Sequence, residues 1–253
     1  MLNNAEVGVT IITSTIRPKL VEQVFNNYAR QKWKSKELII IINKNDIQMK
    51  RYEQKAKQYQ NVRIYRMDEQ KNLGECLNFG VSQAKYDYIA KFDDDDYYSP
   101  NYILESMHLF THSKADVVGK RTCYFYFPHR STLLLRRTSV PPYSPCVRIA
   151  GGTIMFHKRV FHHVRFSTQV YQGSDVRFVN ACLKKGYHVY TTSSYNFVGI
   201  RRANRKSHTW KVSDKKLLST KNAKIIHTTN FKKHCNRSPK QLALLKGYSK
   251  SGV

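Results

Sequence analysis

The run Tyr88, Ile89, Ala90, Lys91, Phe92, Asp93, Asp94, Asp95, Asp96, Tyr97, Tyr98 joins a short β-like apolar segment to four consecutive carboxylates. Four like charges in a row repel one another unless something positive sits among them. A divalent cation answers that need, because carboxylate oxygens are hard ligands suited to Mg²⁺ or Mn²⁺, ions that complete their coordination with water and nucleotide phosphates. A solvated acidic turn after a strand is the plainer alternative. Two features favour the cation: the run ends a strand, where α/β sheets place their ligands, and the rest of the chain is strongly basic.

Toward the N-terminus, Val7 to Thr13 reads as a buried strand that ends in the polar loop Ser14, Thr15, Ile16, Arg17. Pro18 suits the first turn of a helix over about Lys19 to Arg30. Glu37 to Ile42 is too continuously apolar for a half-exposed strand and belongs inside a parallel sheet. Ile47 to Tyr59 has a helical composition, Val62 to Tyr65 is a third short strand, and Tyr86 to Phe92 is a fourth. Between the last two, Asn72 to Ala84 reads as a helix that Gly74 and Gly80 weaken unless a ligand or neighbouring backbone comes close. This alternation predicts a doubly wound α/β sheet with right-handed crossovers. The loops after Thr13, Ile42, Tyr65 and Phe92 then gather at one ligand-binding edge.

Beyond the acidic run, Pro100 to Phe110 reads as a helix and Val117 to Phe127 as another strand. Leu133 to Pro145 reads as a long irregular loop, on account of Pro141, Pro142 and Pro145. Gly151, Gly152 and Thr153 form a glycine turn feeding a strand. Ser174 to about Lys184 is a helix stopped by Gly186, with strands at Tyr187 to Thr191 and Asn196 to Ile200. From Arg201 to Lys250, Asp214 is the only acidic residue. That shift divides the chain into a body, 1–200, and a basic C-terminal extension, 201–253, packed on or beside it.

The 253 residues suffice for one large α/β domain with an appendage. A hydrophobic fraction of 41% excludes a disordered chain. Forty-four Lys and Arg against 17 Asp and Glu give a net charge of +27, which implies attraction to nucleic acid, anionic headgroups, nucleotide phosphates or an acidic polymer. The cysteines, Cys76, Cys123, Cys146, Cys182 and Cys235, are odd in number and lack zinc-ligand spacing, so they read as reduced thiols of a cytoplasmic protein. Met1 to Val9 lacks the order of a secretion signal, and no apolar run approaches the roughly 18 residues of a membrane helix. Peripheral attachment to a membrane through Lys and Arg stays open.

The order of these segments resembles the family 2 glycosyltransferases of the GT-A fold, over roughly Val7 to Ile200. The resemblance implies a Rossmann-like, mostly parallel central sheet flanked by helices. It also implies an inverting transfer from a nucleoside-diphosphate sugar, UDP-linked by preference. Thr13, Ser14, Thr15 and Arg17 match the family's nucleotide loop. Ile42 and Asn43 stand where the family has two aspartates, so Asn43 is left to offer one donor and one acceptor to the base. Asn72, Gly74, Asn78 and Gly80 match a segment that packs close to the nucleotide. Phe92 to Pro100 looks like the metal motif, with Asp93 beside the ribose, Asp94 also on the donor side, Asp95 as the metal ligand and Asp96 supporting it. Gly151, Gly152 and Thr153 resemble the acceptor-side loop.

Gly173, Ser174, Asp175 takes the place of the family's Glu-Asp pair and makes Asp175 the candidate general base. Read by itself, Asp175 is a carboxylate favoured by a helix N-terminus. His208 is a candidate for the metal or diphosphate, though a surface histidine is the simpler reading. Trp210 stacks on a sugar or plugs the core. Arg201, Arg202 and Arg205 suit phosphate. The resemblance further implies Mn²⁺ or Mg²⁺ as cofactor and a glycan, lipid-linked or protein acceptor. The setting it suggests is polysaccharide or surface-glycan synthesis in the cytoplasm, at the membrane or at an assembling spore surface.

Three other readings compete. A nucleic-acid or polyanion-binding module would use the same positive charge, but its ligand would be repelled by the acidic run. A nucleotidyl transferase would use clustered aspartates, but the chain has no GxxxxGK[ST] loop. A scaffold that kept the fold and lost turnover is favoured by Ile42 and Asn43 and opposed by Asp95 and Asp175.

Overall fold

The structure is a computed structural model that describes residues 7–204, 212–220 and 223–245. Its first hundred residues alternate as β1 (Val9–Thr15), α1 (Val21–Ala29), β2 (Lys36–Ile42), α2 (Met49–Ala56), β3 (Val62–Arg66), α3 (Leu73–Ser82) and β4 (Tyr88–Lys91). Leu38 to Ile42 are at most 1% exposed, because β2 runs parallel between β1 and β3 and both faces of the sheet are covered. Leu38, Ile40 and Ile42 enter a core with Val24 and Phe25 of α1 and Tyr52 of α2. Ile39 and Ile41 point the other way, to Cys76, Leu77 and Val81 of α3. Each such side chain contributes roughly 1.5–3 kcal/mol by leaving water.

Next come β5 (Tyr97–Tyr98), α4 (Tyr102–His112), β6 (Val117–Gly119), β7 (Cys123–Phe127), β8 (Thr132–Arg136) and β9 (Ser144–Pro145). They are followed by β10 (Met155–His157), α5 (Ser174–Lys184), β11 (Val189–Thr191) and β12 (Phe197–Ile200). The larger sheet has the order β3-β2-β1-β4-β10-β6-β11-β9. Within it β10 is antiparallel to β4 and β6, and β9 to β11. The other segments are α6 (Asp214–Leu218), β13 (Ala223–His227), α7 (Phe231–Cys235) and α8 (Pro239–Leu242). The smaller sheet has the order β13-β8-β7-β12-β5. Among the described residues no helix is long and apolar enough to cross a membrane.

Two expectations from sequence are corrected. Val117 to Phe127 is not one strand: β6 and β7 lie in different sheets. Between them, where the chain passes from one sheet to the other, the Lys120 ammonium is buried against Glu105 at 3.2 Å. Leu133 to Pro145 is not irregular throughout, since Thr132–Arg136 forms β8 and pairs with both β7 and β13. The prolines punctuate only the part after Arg137, and they masked the apolar run before them. The described part of 201–253 joins this smaller sheet: β13 is its edge, and Phe231 and Cys235 of α7 pack with Tyr97, Tyr126 and Leu133.

Candidate active site

The C-terminal ends of parallel strands β1 and β4 place their loops side by side. Thr15 Oγ1 at the end of β1 donates to Asp94 Oδ2 at 2.6 Å. Arg17, two residues on, pairs with Asp94 and reaches Asp95 Oδ2 at 3.2 Å. From the end of β12, Arg202 Nη2 reaches the same oxygen of Asp95 at 2.6 Å. Lys91, the last residue of β4, pairs with Asp93 Oδ1 at 2.5 Å. Asp96 Oδ1 accepts from the Ile200 N–H at 2.9 Å. Arg17, Lys91 and Arg202 thus bring positive charge to three of the four acids from within the chain.

Burial is the main force on these acids. It raises Asp93 above the usual carboxylate range, with Lys91 opposing. Burial and the neighbouring Asp95 push Asp94 up to about 6 in spite of Arg17 and Thr15. Asp96 is raised well above the usual range, first by burial and then by Asp95 and Asp93.

The glycine pair faces this loop. A Cβ on Gly152 would stand 2.8 Å from Asp93 Oδ2 and 3.0 Å from Asp96 Oδ2, and one on Gly151 would stand 2.3 Å from Asp175 Oδ2. Only residues without a side chain admit these carboxylates so close to the backbone. Tyr98 completes the junction: its hydroxyl accepts from the Asp93 N–H and donates to the Gly152 carbonyl, and its ring stacks on Phe92 at 3.7 Å.

Asp175 lies in the first turn of α5, after Gly173 in the left-handed region at φ 80°. Its Oδ2 is 3.3 Å from Lys91 Nζ. Its Oδ1 is buried and accepts no hydrogen bond from the described residues. The structure thus brings Asp175 beside Asp93 and its neighbour Asp95, although 80 positions separate Asp95 from Asp175 in the sequence.

Other residues singled out in the sequence have different surroundings. Asn72 caps α3 through a reciprocal box with Glu75 and also donates to the Thr168 carbonyl. Asn78 exchanges two hydrogen bonds with the backbone of Phe166, both at 2.9 Å. A Cβ on Gly74 would stand 2.0 Å from the Ser167 carbonyl oxygen. These three residues therefore hold the segment 166–168 that leads to α5. Asn43 Nδ2 donates to the Asp68 carbonyl at 2.7 Å, tying the ends of β2 and β3. Thr13 is buried and Ser14 half-buried on β1. Thr153 is fully buried, and its hydroxyl bridges the Ala150 carbonyl and the Lys120 N–H. Arg201 is buried and bound to Asp214 and the Val212 carbonyl, whereas its neighbour Arg202 reaches Asp95. His208, Trp210 and Arg205 lie outside the described residues.

Sequence reasoning missed Lys91 and Tyr98. A lysine inside the apolar run of a central strand was the available signal for the first. The stacking and hydrogen bonds of Tyr98 had none.

A hard divalent cation requires several oxygen donors around it. Among the described residues no group of three or more His, Cys, Asp or Glu side chains is arranged to hold a metal ion. The ion pairs of Asp95 and Asp93 use Oδ2 and Oδ1 respectively. Two carboxylate oxygens would suit Mg²⁺ only with phosphates and water to complete its coordination.

The two-sheet architecture, with carboxylates of β4 and α5 converging at the strand ends, is the GT-A fold of sugar-transferring enzymes. A family model described as glycosyl transferase family 2 matches residues 10–174, and the chain belongs to that family. The match stops one residue before Asp175. Crystal structures of S. aureus TarS residues 1–349 share the fold. The uncomplexed structure is 13% identical with a TM-score of 0.59, over 77% of this chain and 60% of that one. The complex with UDP-GlcNAc is also 13% identical, with a TM-score of 0.61 over 82% and 62%. The complex with UDP is 14% identical, with a TM-score of 0.60 over 77% and 61%. The chain thus spans about three fifths of the length of those structures. A search of curated protein sequences finds no match.

Proposed function

We propose that the chain is an inverting glycosyltransferase that moves a sugar from a UDP-sugar to an acceptor hydroxyl. One observation supports this reading: Asp175, whose Oδ1 is buried without a hydrogen-bond partner, lies against the same Lys91 ammonium as Asp93, a near neighbour of Asp95 in the acidic run. The acceptor hydroxyl donates to that oxygen. As its oxygen bonds to the anomeric carbon, the bond from that carbon to the diphosphate breaks on the opposite face. The proton passes to Asp175, and the electron pair leaves with the diphosphate. No covalent intermediate forms, so one general base suffices.

Arg17 and Arg202, already grouped around Asp95, supply guanidinium groups matched to phosphate oxygens. Asp95 and Asp93 would hold Mg²⁺ or Mn²⁺, which when bound supplies neutralisation of the diphosphate charge. The UDP complexes of S. aureus TarS support a uridine donor. The net charge of +27 supports an anionic glycan as the acceptor.

The test is thermal denaturation with UDP, ADP and GDP, each with and without Mn²⁺, followed by UDP release from UDP-sugars. Stabilisation by UDP above the other two, together with turnover, is expected. Stabilisation by short RNA and by none of the nucleotides would replace this reading with a polyanion-binding one.

A further inference from the structure

Lys91 is a charged residue on a central strand of the larger sheet, where Ile12 is its register partner on β1. Its side chain is 3% exposed, and its backbone N–H donates to the Ile154 carbonyl at 2.9 Å. A buried ammonium is costly unless it is paired and its hydrogens are satisfied. A methionine would fill the same space at no such cost. The ammonium here has three partners: Asp93 Oδ1 at 2.5 Å, Asp175 Oδ2 at 3.3 Å and the Gly151 carbonyl at 3.3 Å.

The three partners belong to three segments that meet nowhere else in sequence: the acidic loop, the glycine turn and the first turn of α5. Asp175 Oδ2 is caught between this ammonium and the backbone of Gly151, where a Cβ would be 2.3 Å away. With one oxygen held, the carboxylate has one orientation, and in it Oδ1 is the oxygen without a partner. Arg17 and Arg202, with side chains 23% and 26% exposed, meet the acids from the open side. Lys91 meets them from within the sheet.

We infer that Lys91 is a positioning residue whose buried ammonium clamps Asp175 against the glycine turn and Asp93, so that Asp175 presents its free oxygen to the acceptor hydroxyl. The inference rests on the reading of Asp175 as the base. Lys91 touches neither donor nor acceptor and acts only through the carboxylates that it holds.

The test is a double-mutant cycle. UDP release from UDP-GlcNAc is measured as kcat and KM for the wild type, Lys91→Met, Asp175→Asn and the double variant. Misplacing a catalytic group by about 1 Å costs about 100-fold in rate. Lys91→Met is therefore expected to lower kcat by about 10- to 100-fold with KM for the donor within about threefold. In the Asp175→Asn background the same change is expected to cost less than about twofold, because residues acting as one unit are not additive. Equal losses in both backgrounds, or no loss in either, would overturn the inference. A wild-type rate for Asp175→Asn would instead strike the proposed function. The second arm needs no turnover: in a crystal structure of Lys91→Met, or of Lys91→Gln where the first is insoluble, the Asp175 carboxylate is expected to leave its seat on Gly151. Finding it unmoved would equally overturn the clamp.

Discussion

A Cβ on Gly152 would lie 2.8 Å from Asp93 Oδ2, so the glycine turn and the acidic loop are in direct contact across 59 residues of sequence. Gly152→Ala must push one of them aside. Overpacking of this kind costs about 1–3 kcal/mol. A lower melting temperature together with weaker UDP binding by calorimetry is expected, and unchanged values for both would show that the contact does not shape the site.

Asp175→Asn keeps the shape of the carboxylate and removes its basicity. Donor binding is expected to persist while transfer falls by about 10²- to 10⁴-fold. Parallel loss of UDP affinity and of rate would mean that Asp175 serves the donor and not the acceptor.

Asp95 is the acid on which Arg17 and Arg202 converge. Asp95→Ala is expected to abolish the part of UDP stabilisation that depends on Mn²⁺, read as the melting-temperature difference with and without EDTA. If EDTA leaves the wild type unchanged, the diphosphate charge falls to the two arginines.

His108 on α4 is lowered from 6.5 to about 4, by burial first and by His112 next, against the pull of Glu105. A histidine with a depressed value binds fewer protons folded than unfolded between those pH values. Stability therefore rises with pH across this window and is lost as pH falls from 6.5 toward 4. His108→Gln is expected to flatten that part of a melting-temperature profile. Profiles that run parallel would exclude His108 as its source.

The strand β13 covers the edge of β8. A chain ended after residue 212 would leave the backbone of Leu133 to Leu135 without its partner and uncover the Phe231 and Cys235 contacts. Open apolar edges associate, so aggregation on size exclusion is expected. A monomeric, stable product would make the segment dispensable.

The first four strands of the larger sheet were legible because buried parallel strands have a continuous apolar signature, as Leu38 to Ile42 shows. The helix α5 was legible because it is bounded by Gly173 and Gly186, both at positive φ. The second sheet was not, since β8 is short and runs into a proline-rich stretch, and its partners β7 and β13 flank it with other elements between. Within the site, carboxylate identity could be read from Asp93 to Asp96. The partner of each could not, because Thr15, Arg17, Lys91 and Arg202 come from three strands.

Composition and local order were enough to establish the alternating strands and helices, the edge at which the loops gather, and the residue types available for phosphate and metal. These follow from periodicity and turn chemistry, which act over a few residues. Tertiary structure alone decided that Arg17, Lys91 and Arg202 pair with three of the four acids from inside the chain, that Gly152 lies against Asp93 and Asp96, and that Gly151 lies against Asp175. It also decided that Lys91 joins Asp93 to Asp175. Electrostatic pairing and steric clearance depend on distances between segments remote in sequence, and those distances exist only once both sheets have packed.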